Sequence, residues 1–161
     1  MEQKKLEVES ATNKQQLIDI QISVKETWLN SRAEVKYYAG YLVNNRLGAF
    51  IDKANNISGR LDSQIETLKS KGIDTTKVES DVATYNEWLS KAETEYNAAQ
   101  EDYRTHGGFD TYGHVTNLKE ADQFLEAVNK HIRQANDYLK KAKDGYKEAV
   151  AELRATNTRK T

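Results

Sequence analysis

The chain has no cysteine and no proline in 161 residues, a single methionine, and no apolar run near the roughly 18 residues a membrane-spanning helix requires. Without cysteine there is no disulfide framework, no thiolate nucleophile and no cysteine-based zinc site. Without proline the chain lacks the residue that most strongly ends helices, so long uninterrupted helices are expected. Neither sign of charge dominates. Lysine and arginine number 24 against 25 acids, and the net charge of −1 offers no general attraction to nucleic acid or to an anionic membrane. No secretory apolar segment is visible, so the chain as it stands is expected to be soluble and not to insert into a bilayer. No nucleophile with a base, no paired acid and base and no phosphate loop can be recognised, and an enzyme is not expected.

What is present is helical periodicity. Leu118, Ala121, Leu125, Val128, Ile132, Ala135, Leu139, Ala142, Tyr146, Ala149 and Leu153 form an unbroken heptad seam. Apolar side chains at alternating three and four spacing make one stripe of a helix and bury best against other helices. A second seam runs Val78, Val82, Tyr85, Leu89, Ala92, Tyr96, Ala99, Tyr103. The mean hydropathy of −0.86 is low, but nine tyrosines and two tryptophans in register argue for a folded chain with a large solvated surface.

The first third is harder to place. Its stripe reads Leu17, Ile20, Val24, Trp28, Val35, Tyr38, Leu42 and resumes at Leu47, Phe50, Ala54, Ile57, Leu61, Ile65, Leu68, with a five-residue step from 42 to 47. Gly40, Asn44, Asn45 and Gly48 surround that step. A helix tolerates such residues at about 0.5 to 1 kcal/mol each, so one continuous helix is favoured over a turn near 44–48. The expected fold is all-α: an elongated antiparallel bundle of three long helices, about 13–71, 76–104 and 117–154, with left-handed coiled-coil packing. The alternative is a four-helix up-and-down bundle. Residues 13–154 make one domain in this reading, and the polar ends 1–12 and 155–161 fray.

Two boundaries are well marked. Lys69, Lys71, Gly72 and Ile73 form a helix stop, in which glycine takes the left-handed conformation and Ile73 folds back onto Leu68. Thr76 with Glu79 reads as a capping box, and Asn117 with Glu120, or Thr116, starts the last helix. Between these helices lies the loop Thr105–Thr116, whose three glycines stop any helix.

Few residues invite chemistry. In that loop His106, Asp110 and His114 carry suitable ligand groups for a metal, but their spacing matches no strong rule, and a solvated loop pinned by Phe109 and Tyr112 is the plainer reading. His131 has no carboxylate three residues upstream and reads as a boundary histidine. Tyr38 lies on the seam and is expected in the core, whereas Tyr37 and Tyr41 lie off it and can face outward. Trp28 and Trp88 are expected to anchor the bundle.

Residues 1–72 hold 11 basic and 9 acidic side chains, residues 73–115 hold 3 and 9, and residues 116–161 hold 10 and 7. An acidic middle helix between two mildly basic ones favours antiparallel packing, with Lys140, Lys141, Lys143, Lys147 and Arg154 facing the acidic stretch 79–102.

The stretch Leu68–Glu79, Leu-Lys-Ser-Lys-Gly-Ile-Asp-Thr-Thr-Lys-Val-Glu, resembles the corner of helical-hairpin segments in secreted or cell-surface coiled-coil proteins of archaea and some bacteria. The likeness covers about residues 47–154, and its specific element is Gly72, Ile73, Asp74 and Thr76. It implies a cell-envelope location and no enzymatic activity. A weaker likeness, through Trp28, Trp88 and the helix order, is to spectrin-type three-helix repeats. The function expected is therefore a non-enzymatic spacer, scaffold or protein-interaction bundle without a cofactor. It would contact a protein partner or a second copy through Leu17, Ile20, Val24, Trp28, Val35, Tyr37 and Tyr41. The alternative is a ligand- or metal-responsive sensor using the 106–114 loop.

Overall fold

A computed structural model describes residues 2–158. It is all-α, with four helices: α1 (Glu2–Ser10), α2 (Lys14–Ser70), α3 (Thr76–Thr105) and α4 (Leu118–Thr158). The three long helices pack antiparallel in chain order, as a helical bundle. α2 runs without a break through Gly40, Asn44, Asn45 and Gly48, so the continuous helix is the form adopted and the turn near 44–48 is not. The stretch 1–12, expected to fray, instead carries α1, which buries no residue and holds the ion pair Lys4–Glu7 at 2.7 Å. Asn13 separates it from α2, its Oδ1 accepting from the Gln16 N–H at 2.9 Å as an N-cap does. The calls on 159–161 lie outside the described residues.

The described chain packs as two compact units rather than the one domain read from 13 to 154. The first comprises residues up to Ala39 with His106–Glu126, the second Gly40–Thr105 with residues from Ala127 onward.

In the second unit, α2 from Gly40, α3, and α4 from Ala127 enclose a core of Ile51, Leu61, Ile65, Leu68, Val78, Val82, Tyr85, Leu89, Ala142, Ala149 and Leu153. The seams expected on α3 and α4 are the buried ones. On α2 the register differs. Its inward positions are Ala33, Tyr37, Gly40, Asn44, Leu47, Ile51, Ala54, Ser58, Leu61, Ile65 and Leu68, buried or half-buried at alternating four and three spacing with no slip. Phe50 and Leu42, read as seam residues, are exposed. The physical reason is that small and polar residues hold places in this seam. A Cβ on Gly40 would come 2.5 Å from the Tyr103 hydroxyl, and one on Gly48 would come 2.6 Å from that of Tyr96. The α3 tyrosines thus cross α2 where it has no side chain. Asn44, in the seam beside them, is fully buried, and neither its Nδ2 nor its Oδ1 has a hydrogen-bond partner.

The α2–α3 corner forms as expected at its start. Ile73 N–H donates to Leu68 C=O at 3.1 Å and Gly72 N–H to Lys69 C=O at 2.8 Å, with Gly72 at φ 69°, the paired bonds of a Schellman stop. The cap of α3 moves by one residue. Thr75, not Thr76, accepts from the Glu79 N–H at 2.9 Å and hydrogen-bonds the Glu79 carboxylate through its hydroxyl, while Asp74 Oδ1 accepts from Thr76 N–H at 3.0 Å. These bonds hold the Asp74 and Glu79 carboxyls below their ordinary range, Asp74 through Thr76 and Glu79 through Thr75 and then Lys69.

The expected pairing of α4 cations with the acidic helix is largely replaced by pairs within helices: Lys140 with Asp137 at 2.9 Å and Lys147 with Asp144 at 2.7 Å. Pairs three apart on one helix form without cost in helix geometry. Lys141 instead lies 4.3 Å from the centre of the Trp88 ring, which stacks on Tyr138 at 5.8 Å. The half-buried His131 crosses to α3, with Nδ1 2.6 Å from Glu95 Oε2.

Candidate functional site

In the first unit the 106–117 loop is a folded element built around backbone geometry. Gly113 N–H donates to Asp110 C=O at 2.9 Å, and Phe109 pairs with Val115 in a single antiparallel bridge. Asp110 Oδ1 accepts from the N–H groups of both Tyr112 and His114 at 2.8 Å. Those donors, His114 first, hold its carboxyl below the ordinary range. Gly108, at φ 75°, presses on the first turn of α4. A Cβ there would overlap the backbone nitrogen of Ala121 and sit 2.6 Å from Asn117 O. Asn117 caps α4, with its Oδ1 accepting from Lys119 N–H at 3.1 Å and its amide donating to Glu120 at 2.9 Å.

This loop clamps α2. Tyr37 packs its ring on Phe109 at 4.6 Å and Phe124 at 5.9 Å, and its hydroxyl lies 3.1 Å from His106 Nδ1. Tyr38 donates to the carbonyl of Tyr112, and Glu34 accepts from Val115 N–H at 3.2 Å. The two tyrosines therefore exchange the roles expected of them: Tyr37 is 7% exposed and Tyr38 47%. Tyr37 belongs to the same heptad line as Ala33 and Gly40, which the apolar reading passed over. Phe109 is buried as a pin, whereas Tyr112 is exposed and holds on by its backbone.

The three loop residues weighed as metal ligands go to separate tasks. His106 meets Tyr37, His114 lies 3.5 Å from Glu34, and Asp110 is occupied by the turn. Among the described residues no group of three or more His, Asp or Glu side chains is placed to hold a metal ion.

The interaction candidates fare differently. Leu17, Trp28 and Val35 stand 46%, 57% and 68% exposed, and Ile20 and Val24 are half-buried. Trp28 therefore does not anchor the bundle; its ring carries Arg32 at 5.4 Å. Counted in sevens, Leu17, Val24, Ser31 and Tyr38 share one helical line, and Trp28 and Val35 the next. At about 100° per residue this stripe lies nearly opposite the Ala33–Tyr37 line that the clamp covers. Tyr41, in the second unit, rests edge-on against Tyr103 at 5.4 Å and is partly exposed.

The second unit has one further concave feature, an open groove of about 590 Å³ between α2 and α4. Leu47, Phe50, Ala54, Ile57, Leu139 and Tyr146 form its apolar surface. Tyr85 closes it from α3, its hydroxyl donating to Ala54 C=O at 2.6 Å; burial pushes that phenol up to about 12.

Fold and surfaces together define a helical bundle with one helix that is apolar on two faces. No protein-family model, curated protein or solved structure matches the chain. No described helix is long and apolar enough to cross a membrane.

Proposed function

We propose that this chain is a non-enzymatic interaction module that pairs with a second copy of itself along the N-terminal half of α2. The observation that carries this reading is the second heptad stripe, Leu17, Ile20, Val24, Trp28 and Val35, on the side of α2 turned away from its own bundle seam. A seven-residue apolar repeat on a helix is the signature of helix-to-helix packing, and an apolar face of this length rarely stays bare in water. The stripe spans 19 residues, about 28 Å at 1.5 Å each, enough for nearly three heptads.

A second copy suits the charge pattern. Between 14 and 39 the cations Lys14, Lys25, Arg32 and Lys36 nearly balance Asp19, Glu26 and Glu34, so two identical faces meet without net repulsion. A two-fold contact also needs only one self-complementary surface. A cell-envelope spacer or scaffold, the role implied by the likeness of the Gly72 corner to surface helical hairpins, is compatible with such pairing. Ser31 sits within the stripe, and the chain has no cysteine. A nitroxide on Ser31→Cys is thus unique, and dipolar coupling between labels is the test. Coupling that disappears on dilution supports the pairing; its absence in concentrated samples opposes it.

A further inference from the structure

We propose that the α2–α4 groove of the second unit is a binding site for a single-chain anionic amphiphile, such as a free medium-chain carboxylate. The site is separate from the self-association face and does not depend on it.

The groove combines an apolar trough with a one-signed rim. Its lining includes Arg46 and Lys53 from α2 and Lys140 and Lys143 from α4, and no carboxylate. Arg46, Lys53 and Lys143 make no ion pair with any described residue, although Lys53 lies 6.0 Å from the Phe50 ring centre. Lys140 is held by Asp137, and the nearby Asp144 by Lys147. Three uncompensated cations on two helices, facing each other across apolar surface, raise the local concentration of anions. Phe50, which the core does not use, is 60% exposed at this edge. An exposed aromatic beside free cations suits a ligand with an apolar body and an acidic end.

The volume is in the range of small-ligand sites, about 300 to 1,000 Å³. The next stretch of the groove argues for a compact ligand rather than a docked helix. Beyond Ile57 and Tyr146 it becomes a smaller cavity of about 380 Å³, lined by Arg60, Gln64 and Arg154 together with Leu61, Val150 and Leu153. The purely apolar floor that a long helix would need is interrupted there, whereas a chain of ten or so carbons fits the first cavity alone.

Calorimetric titration of the full chain with decanoate, kept below its micellar concentration, tests the site against decyltrimethylammonium and butanoate. The expected result is saturable binding of one decanoate per chain, with the other two probes weaker by about ten-fold or more. Arg46→Glu with Lys143→Glu, both at exposed positions, should lose decanoate by a similar factor and gain the cationic probe. Circular dichroism of that variant should match the parent. Phe50→Ser should weaken decanoate while keeping the charge preference. Equal binding of decanoate and decyltrimethylammonium, decanoate binding unchanged by the charge reversal, or no saturable binding overturns the proposal.

Discussion

Replacing Asn44 by leucine should stabilise the second unit. The side chain is fully buried with both amide atoms unpaired, and leaving a buried polar group unsatisfied costs about 1 to 3 kcal/mol. Leucine is close in volume and removes that cost while adding apolar contact in the α2 seam. Shape mismatch takes back part of the gain, since imperfect repacking costs up to about 1.5 kcal/mol for volume-conserving changes. The net expectation is about 1 to 2 kcal/mol more stable, or roughly 2 to 6 °C in melting temperature for a chain of this size. The assay is urea unfolding at 25 °C in a Trp28→Phe background. Trp88 is then the sole tryptophan and reports the second unit alone, and an unchanged denaturant slope shows that only stability moved. Asn44→Asp is the control: an unpaired buried carboxylate should cost about 3 kcal/mol or more. If Asn44→Leu instead loses more than about 1 kcal/mol, the amide has partners and the account of this seam position is wrong.

Gly108→Ala should destabilise the first unit by about 3 kcal/mol or more, because it adds a side chain at positive φ against the α4 backbone; near-ultraviolet dichroism of the Tyr37–Phe109–Phe124 cluster would read the loss. Tyr85 is neutral in the core with its pKa raised to about 12. Its contribution is therefore complete below the unfolded tyrosine pKa near 10 and is lost as pH rises through 10 to 12, about 1 to 3 kcal/mol in all. Tyr85→Phe should flatten that alkaline limb in a series of unfolding curves. Asp110 titrates below its ordinary value, so its contribution is present above pH 4 and fades as pH falls through the depressed pKa; Asp110→Ala should shrink the acid-dependent part of first-unit stability measured by hydrogen exchange in the 108–116 backbone.

How much of this could be read from the chain depended on what occupies each seam. On α3 and α4 every inward position is apolar, and the periodicity located both helices and their buried faces. On α2 the inward positions include Gly40, Asn44 and Ser58, which a search for apolar residues skips. The eye then joins two different faces, Leu17 to Leu42 and Leu47 to Leu68, and sees a five-residue slip where the helix has none. The missed signal lay in α3: Tyr96 and Tyr103 are large side chains in a small-residue seam, and large rings need glycines opposite. Tyr37 was misplaced for the same reason, and the cap at Thr75 was missed because two adjacent threonines satisfy the same pattern. The loop's histidines looked like ligands because spacing does not show that Asp110 spends its oxygen on two backbone donors. The α2–α4 groove joins residues about 90 apart in sequence, and no local pattern announces it.

Sedimentation equilibrium of the native chain beside Trp28→Glu with Val35→Glu decides whether the outward seam of α2 has a partner. Both side chains are exposed and outside the core, so the variant should keep the native dichroism and melting behaviour of the separate chains. The expected result is a concentration-dependent dimer for the native chain and a monomer for the variant. A native chain that stays monomeric at millimolar concentration, or a variant that dimerises as well as the native chain, contradicts the assignment.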